Sequence, residues 1–211
     1  MGYFEPFRAH GKLAGRRPMK SAAAKTYHHG DLRNALRNAA RAILEEEGLA
    51  GLSLRAVARR AGVSHAAPYR HFASHEALLV ELAVEGFAEL KEEVATAAAG
   101  PAQKDDRVSN IGAAYMRFVA RRPALARLMF GPQLPNRDAF PELAAAADEI
   151  GIEMGAALND AALGLAVWAA VHGLAMLILE DVIDLGQRRS GLHVLPSRAE
   201  ILLRSLFTFS R

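Results

Sequence analysis

The sequence predicts an all-α protein in two parts, and three observations lead to this fold class. Apolar residues recur at spacings of three and four along most of the chain, which is the period of an amphipathic helix. No stretch alternates apolar and polar residues as a half-buried strand does. A Gly-Pro pair and a polar run at residues 100–107 separate a basic part from a more apolar one. We therefore expect a three-helix N-terminal domain and a larger helical C-terminal domain.

The stretch Gly51–Leu79 predicts two short helices about a tight turn, followed by the start of a longer helix. Ser53 can cap the first helix, and Gly62 can adopt the left-handed conformation that ends it. Ser64 can cap a second helix over His65–His71, and this spacing is typical of a helix-turn-helix. The buried stripe of the first helix would consist of Leu54, Val57, Ala58 and Ala61. A supporting helix is expected before them, from His29 to Glu47.

The outward side chains of this motif favour an anionic polymer. No acid lies between Glu47 and Glu76, and residues 1–75 hold 13 Lys/Arg against 5 Asp/Glu, whereas residues 76–211 hold 13 against 18. Donors and positive charge of this kind suit DNA phosphates. The outward donors and cations are Arg55, Arg59, Arg60, His65, Tyr69, Arg70, His71 and His75.

The run Tyr27–Glu85 resembles the DNA-binding domain of the TetR/AcrR family of transcriptional regulators. The matching features are Gly48 after a first helix, L-S-L-R at 52–55, A-G-V-S at 61–64, Y-R-H-F at 69–72 and A-L-L at 77–79. Many members carry an apolar residue in place of Pro68 and a Lys in place of His75. We expect the first departure to bend the recognition helix and the second to weaken a phosphate contact. The resemblance implies a cytoplasmic, homodimeric bacterial repressor that binds a double-stranded DNA operator and responds to a small molecule.

Particular roles follow for the predicted DNA contacts. Arg55 is expected at a base edge, preferably guanine, while the short Ala66 and Ala67 leave room for a thymine methyl group. His29 lies at a helix start that favours an anion, although a solvated histidine pair with His28 is an equal alternative. The phosphate contacts are expected from Ser53, Tyr69 and His75, and the remaining members of the predicted DNA-binding set are Ser64, His65, Arg70 and His71.

The other function classes have little support in the sequence. The chain has no cysteine, so disulfides, thiolate catalysis and cysteine-ligated zinc are excluded. It has no Gly-rich phosphate loop, H-E-x-x-H or G-x-S-x-G motif, and we expect no enzyme activity, cofactor or metal. The predicted organisation is a basic arm at 1–26, the helix-turn-helix domain at 27–75, a connecting helix at 76–100 and a ligand-binding and dimerisation domain at 101–211. The arm either touches DNA or is merely solubilising.

The segment Ala161–Leu179 has 19 residues without a formal charge. A helix of this length could span a bilayer, but acids flank both ends and His172 lies inside, so we expect a buried helix and no membrane partner. The run Trp168–Ala175 resembles a Trp…His-Gly signature of one TetR subgroup. Small residues along the segment favour close helix packing in a bundle or dimer.

An apolar or amphipathic effector is expected among aromatic and Met side chains of this domain, with the loop Gly131–Asp138 near its entrance. The alternative is that these residues only form the core, and that the protein binds DNA without any ligand. The predicted ligand-binding residues are Tyr115, Phe118, Met129, Phe130, Met154, Trp168 and His172. A last helix capped at Ser197 would complete the dimer interface, whose predicted residues are Ala169, Gly173, Met176, Leu202, Leu206 and Phe209.

Overall fold

The structure, a computed structural model, describes residues 29–100, 103–134 and 139–183 of the 211-residue chain. Those residues form seven α-helices and no strand, with a 3-10 turn at Pro68–Arg70. The predicted arm at 1–26 and the predicted last helix, with Leu202, Leu206 and Phe209, lie outside the described residues. The helices are α1 (His29–Gly51), α2 (Leu54–Ala61), α3 (His75–Ala98), α4 (Lys104–Arg121), α5 (Pro123–Phe130), α6 (Pro141–Leu158) and α7 (Ala161–Leu179).

Helix ends follow the local signals in the sequence. Gly48 has φ +71° and kinks α1 where the first helix was expected to end. Ser53 and Ser74 cap α2 and α3 by accepting hydrogen bonds from the amides of Ala56 and Ala77, at 3.2 and 3.1 Å. Gly62, with φ +70°, closes α2 in the left-handed conformation. The predicted bounds of α7 are confirmed at both ends.

The predicted second helix of the helix-turn-helix, His65–His71, is wrong in length. Residues 65–67 form a turn, and only Pro68–Arg70 is helical, as a 3-10 turn. The backbone carbonyl of Ser64 accepts from the amide of Ala67 at 3.0 Å, so Ser64 closes a turn instead of starting an α-helix. Pro68 has no amide hydrogen to continue an α-helical ladder, and its ring crowds the carbonyl group four residues before it. We call Ser64–His71 the reading segment.

Helix α3 occupies the centre of the described structure. It packs against α1 on one side and against α4, α5 and α6 on the others. Its apolar side chains are almost all buried, and they belong to one core that extends from Leu36 of α1 to Leu179 of α7. The N-terminal and C-terminal helices therefore share a hydrophobic core and do not form two separate ones.

Ion pairs add a polar seam between α1 and α3. Arg33, Arg37 and Arg41 follow one face of α1 at intervals of four residues, and they pair with Glu81, Glu85 and Glu89, which have the same interval on α3. Arg122 also reaches Glu89, with 3.3 Å between the Arg122 Nε and a Glu89 carboxylate oxygen. Burial opposes ionisation of Glu89, yet Arg41 and Arg122 hold the pKa of its carboxyl group below the usual value. Much of the positive charge of α1 is thus neutralised within the protein.

Glycines set the spacing of α6 and α7. A Cβ added at Gly164 would lie 2.5 Å from the Cα of Gly155, so the two helix backbones are nearly in contact there. Asn159, with φ +52°, and Asp160, which caps α7, make the short turn between the two helices. Gly151, one turn before Gly155, faces the ring of Trp168 at ordinary van der Waals distance.

We expect Gly164→Ala to destabilise the protein by about 1–3 kcal/mol, because the added methyl group must push α6 away from α7. Gly151→Ala is the matched control, since a Cβ there would lie 3.4 Å from the Trp168 ring. That change should be neutral or should stabilise by about 0.5–1 kcal/mol through reduced backbone entropy of the unfolded chain. Thermal and urea unfolding measure both effects. Equal stabilities for the two variants would contradict the close crossing.

Candidate functional site

The helix-turn-helix region exposes a compact set of donors. Arg55 and Arg59 lie on the outer face of α2 and are exposed, and no described acid pairs with either of them. Arg60 is partly neutralised by an ion pair with Glu46. Leu54, Val57 and Ala58 are buried on the opposite face, so packing against the core fixes the direction in which Arg55 points.

Four predicted DNA contacts lie around one concave surface of about 320 Å³. Its wall includes Ser53 and Arg55 at the start of α2, Tyr69 of the reading segment, and His75 at the start of α3. The side chain of Tyr69 is 55% exposed although its neighbour Pro68 is buried. The sequence positions of these residues differ by up to 22, and the turn at Gly62 brings them together.

His75 is held by the backbone of the same region. Its Nε2 lies 3.0 Å from the carbonyl oxygen of Leu52. A carbonyl oxygen can only accept, so Nε2 carries the hydrogen and the neutral ring has only an acceptor left on Nδ1. A neutral His75 therefore has no hydrogen to donate to a phosphate, whereas an imidazolium would have one.

The other members of the predicted DNA-binding set have different surroundings. Ser64, His65, Ala66 and Arg70 are exposed, whereas Ala67 and His71 are half-buried. His29 begins α1, but its side chain is outside the description. The reading segment thus presents small and polar side chains on an irregular backbone.

The predicted effector residues divide into two groups. Tyr115, Phe118, Met129 and Met154 are at most 1% exposed and belong to the common core. Phe130, Trp168 and His172 are partly exposed. Of these seven residues, Tyr115, Phe130 and His172 form a contact cluster: the hydroxyl of Tyr115 lies 2.9 Å from Nδ1 of His172, and the rings of Phe130 and His172 are 4.4 Å apart.

Burial shifts the pKa values of two groups in this cluster. Desolvation strongly raises the pKa of the Tyr115 phenol, which remains protonated at any physiological pH. Desolvation also lowers the pKa of His172, which favours the neutral imidazole. The cluster is therefore polar but uncharged near neutral pH.

Helix α5 connects this cluster to the N-terminal helices, a link that sequence reasoning missed. The carboxylate of Glu45 on α1 accepts hydrogen bonds from the amides of Ala124 and Leu125, at 3.4 and 3.3 Å, in the first turn of α5. At the other end of α5, Arg127 binds Glu180 and the backbone carbonyl of Leu179. Pro123 marks the helix start in the sequence, but no local signal indicates that a carboxylate 79 residues earlier caps it.

The predicted dimer residues on α7 lie along a face of the helix that the other described residues leave partly uncovered. Ala169 is exposed, Met176 is half-buried, and a Cβ added at Gly173 would meet nothing within 4 Å. Leu165 and Leu177 extend this apolar face and are 59% and 44% exposed. By length and composition α7 could also cross a membrane. Its most apolar 18-residue stretch has a mean hydropathy of 2.1, and one third of that stretch is buried.

Comparison with known proteins gives matches for both parts of the chain. Residues 36–82 match the model of bacterial regulatory proteins of the tetR family, and residues 108–190 match the tetracyclin repressor-like C-terminal domain. An HTH-type transcriptional regulator of Mycobacterium tuberculosis strain H37Rv is 33% identical over 107 residues, which are 47% of this chain and 43% of that protein. The match thus spans less than half the length of this relative.

Solved structures show the same fold. A protein of unknown function from Rhodococcus sp. RHA1 is 29% identical, with a TM-score of 0.63 over 86% of this chain and 98% of that one. The transcriptional regulator FadR from Bacillus subtilis, in complex with stearoyl-CoA, is 16% identical, with a TM-score of 0.62 over 82% of this chain and 97% of that one. With the helix-turn-helix, its basic outer face and the two family matches, the chain belongs to the TetR family of bacterial transcriptional regulators.

Proposed function

We propose that this regulator is a cytoplasmic repressor that binds a palindromic operator as a homodimer and leaves it when a small apolar or amphipathic molecule binds. The observation that carries the DNA-binding part is the concave surface where Ser53, Arg55, Tyr69 and His75 meet. Arg55 is exposed and without a described acidic partner, so its guanidinium is available for two hydrogen bonds to a guanine edge. Ser53 and Tyr69 flank it with hydroxyl groups that suit phosphates.

The irregular reading segment affects how specificity would arise. The 3-10 turn at Pro68–Arg70 is too short to fill a major groove as a long helix does. Specificity would then depend on Arg55, on His65 and on close approach of the backbone at Ala66 and Ala67, where small side chains leave room for a thymine methyl group.

The exposed apolar face of α7 supports the homodimer. Leu165, Ala169 and Gly173 follow one another at intervals of four residues, so they share one side of the helix. An apolar surface of this kind is costly in water and is typical of a partner surface. A two-fold dimer would present two reading segments to successive major grooves, about 34–36 Å apart.

Effector-driven release is supported by the position of α5. Phe130, at its C-terminal end, contacts His172, while its first turn is capped by Glu45 of α1. A ligand that displaces Phe130 would move a helix attached directly to the DNA-binding domain, and α3 provides a second connection through the shared core. A coupling free energy of about 1–3 kcal/mol is enough for a 5- to 150-fold change in operator affinity. The fold neighbour bound to stearoyl-CoA is in line with an amphipathic effector.

We expect Arg55→Ala to lose about 1–3 kcal/mol of operator binding and to relax the preference at one base pair, because the guanidinium reads a base edge. Tyr69→Phe should weaken all sequences alike, since it removes a phosphate contact. Selection from a random DNA pool, followed by titration of the selected sites, measures both effects. Arg60→Ala is the control on the same helix, because its charge is partly neutralised by Glu46. An unchanged sequence preference in Arg55→Ala would remove this residue from the reading set.

We expect Leu165→Glu to produce monomers with poor operator affinity, because it would bury a charge at the dimer seam. Sedimentation velocity at micromolar concentration measures the oligomeric state. Ala99→Glu places the same charge on the exposed end of α3 and should leave the dimer intact. A Leu165→Glu variant that sediments as the wild-type dimer would place the interface on another surface.

A further inference from the structure

The polar cluster in the C-terminal helices has one strong hydrogen bond at its centre. Tyr115 of α4 is fully buried, and its hydroxyl oxygen lies 2.9 Å from Nδ1 of His172 on α7. The imidazole of His172 is half-buried and packs against the ring of Phe130 from α5. No side chain fills the space in front of the neighbouring Gly173. His172 is thus the member of the cluster that reaches from the core toward the surface.

The indole of Trp168 adds a second donor to this cluster, one turn before His172 on α7. Its Nε1 atom is buried, can only donate, and has no hydrogen-bond partner of ordinary geometry among the described residues. Tyr115 is fully buried, and the one hydrogen-bond partner that the described residues give its hydroxyl is Nδ1 of His172. A buried phenol hydrogen without an acceptor would be costly, so this hydrogen is directed to Nδ1 of His172. The neutral His172 then carries its own hydrogen on Nε2.

Among the described residues, the hydrogen-bond and ring partners of His172 are Tyr115 and Phe130, and neither carries a charge. Burial lowers the pKa of His172, so the ring is neutral near pH 7. The nearest cation on α5 is Arg127, one turn before Phe130, and its guanidinium is bound by Glu180 and by the carbonyl of Leu179. A carboxylate placed against these described side chains would lose its hydration without gaining a cation from them.

We propose that this cluster recognises an uncharged hydrogen-bond acceptor, such as a ketone or ester carbonyl on an apolar body, through the Nε2–H of His172. This inference rests on the proposed effector function and specifies the chemical class of the effector. Two N–H donors, those of His172 and Trp168, lie in apolar surroundings, and no described acceptor in the cluster satisfies the indole N–H. A carbonyl oxygen has two lone pairs, carries no charge, and suits such a donor set.

The arrangement of hydrogens can be tested on the wild-type protein without any ligand. Nitrogen-15 NMR of the histidine rings at pH 7.5 should show His172 with its hydrogen on Nε2 and an unprotonated, hydrogen-bonded Nδ1. Tyr115→Phe should alter the Nδ1 signal of His172. The Nδ1 signal of His65, which is exposed on the reading segment, should stay unchanged. A hydrogen on Nδ1 of His172, or a charged ring at this pH, would overturn the proposal.

Ligand class is tested by calorimetric titration of the full chain at pH 7.5 with three probes of similar size: acetophenone, ethylbenzene and benzoate. Acetophenone should bind roughly 2- to 12-fold more tightly than ethylbenzene, which is the effect of one hydrogen bond. Benzoate should bind most weakly, because its charge has no partner. The acetophenone preference should disappear in His172→Phe and persist in the control His65→Phe, with folding of both verified by thermal unfolding.

Preferential binding of benzoate, equal binding of acetophenone and ethylbenzene, or binding of none of the three probes would contradict the proposal. Operator affinity is measured separately in the absence of probes. A protein that binds its operator and releases it with another class of molecule, but shows no preference for the ketone, retains the proposed function and loses this inference. A protein that prefers acetophenone but never binds DNA retains this inference and loses the proposed function.

Discussion

Both halves of this regulator depend on the burial of α3. Its apolar residues recur so often that no single neighbour could cover them, and α1 packs on one side while α4, α5 and α6 pack on the others. One hydrophobic core results, from Leu36 to Leu179, so the DNA-binding helices and the C-terminal helices contribute to the same buried cluster. The glutamates of α3 add ion pairs to α1, each worth only about 0.2–1 kcal/mol at such exposure, so they set the register more than the stability.

A shared core gives the proposed regulation a physical basis. A small displacement among packed helices tends to produce a discrete repacking, because close-packed interiors do not deform smoothly. In this protein α5 is the short element that contacts both ends of the system, with Glu45 at its first turn and His172 against its last residue. In the proposed function, the single helix α5 therefore connects the effector site to the DNA-binding helices.

Local sequence signals predicted the elements well, and the reasons are particular. Ser53, Gly62 and Ser74 act through hydrogen bonds and backbone angles within a few residues, so the helix ends they produce can be read directly from the sequence. The uncharged run Ala161–Leu179 similarly predicted the bounds of α7. Pro68 was expected only to bend the recognition helix, whereas its missing amide hydrogen leaves only a 3-10 turn at Pro68–Arg70.

Contacts between residues far apart in the chain could not be predicted from the sequence. Glu45 capping α5, the ion pairs between α1 and α3, and the bond between Tyr115 and His172 join residues 48 to 80 positions apart, and no local rule selects one such partner over another. The candidate DNA contacts stay predictions, but the compact helix-turn-helix brings four of them to one surface. The candidate effector residues also stay predictions, chosen from the sequence as aromatic, His and Met side chains, and the structure separates those with polar contacts from those that are only core.

The central claim, that the DNA-binding and effector helices form one cooperative unit, is tested most directly by native-state hydrogen exchange in Met154→Ala. Met154 lies fully buried in α6, and its truncation should cost about 2–5 kcal/mol. If the core is shared, the slowest amides of α1, near Ile43 and Leu44, should lose protection by the same factor as those of α6. Unchanged protection in α1 beside a loss in α6 would show that the two halves unfold separately and would contradict the account.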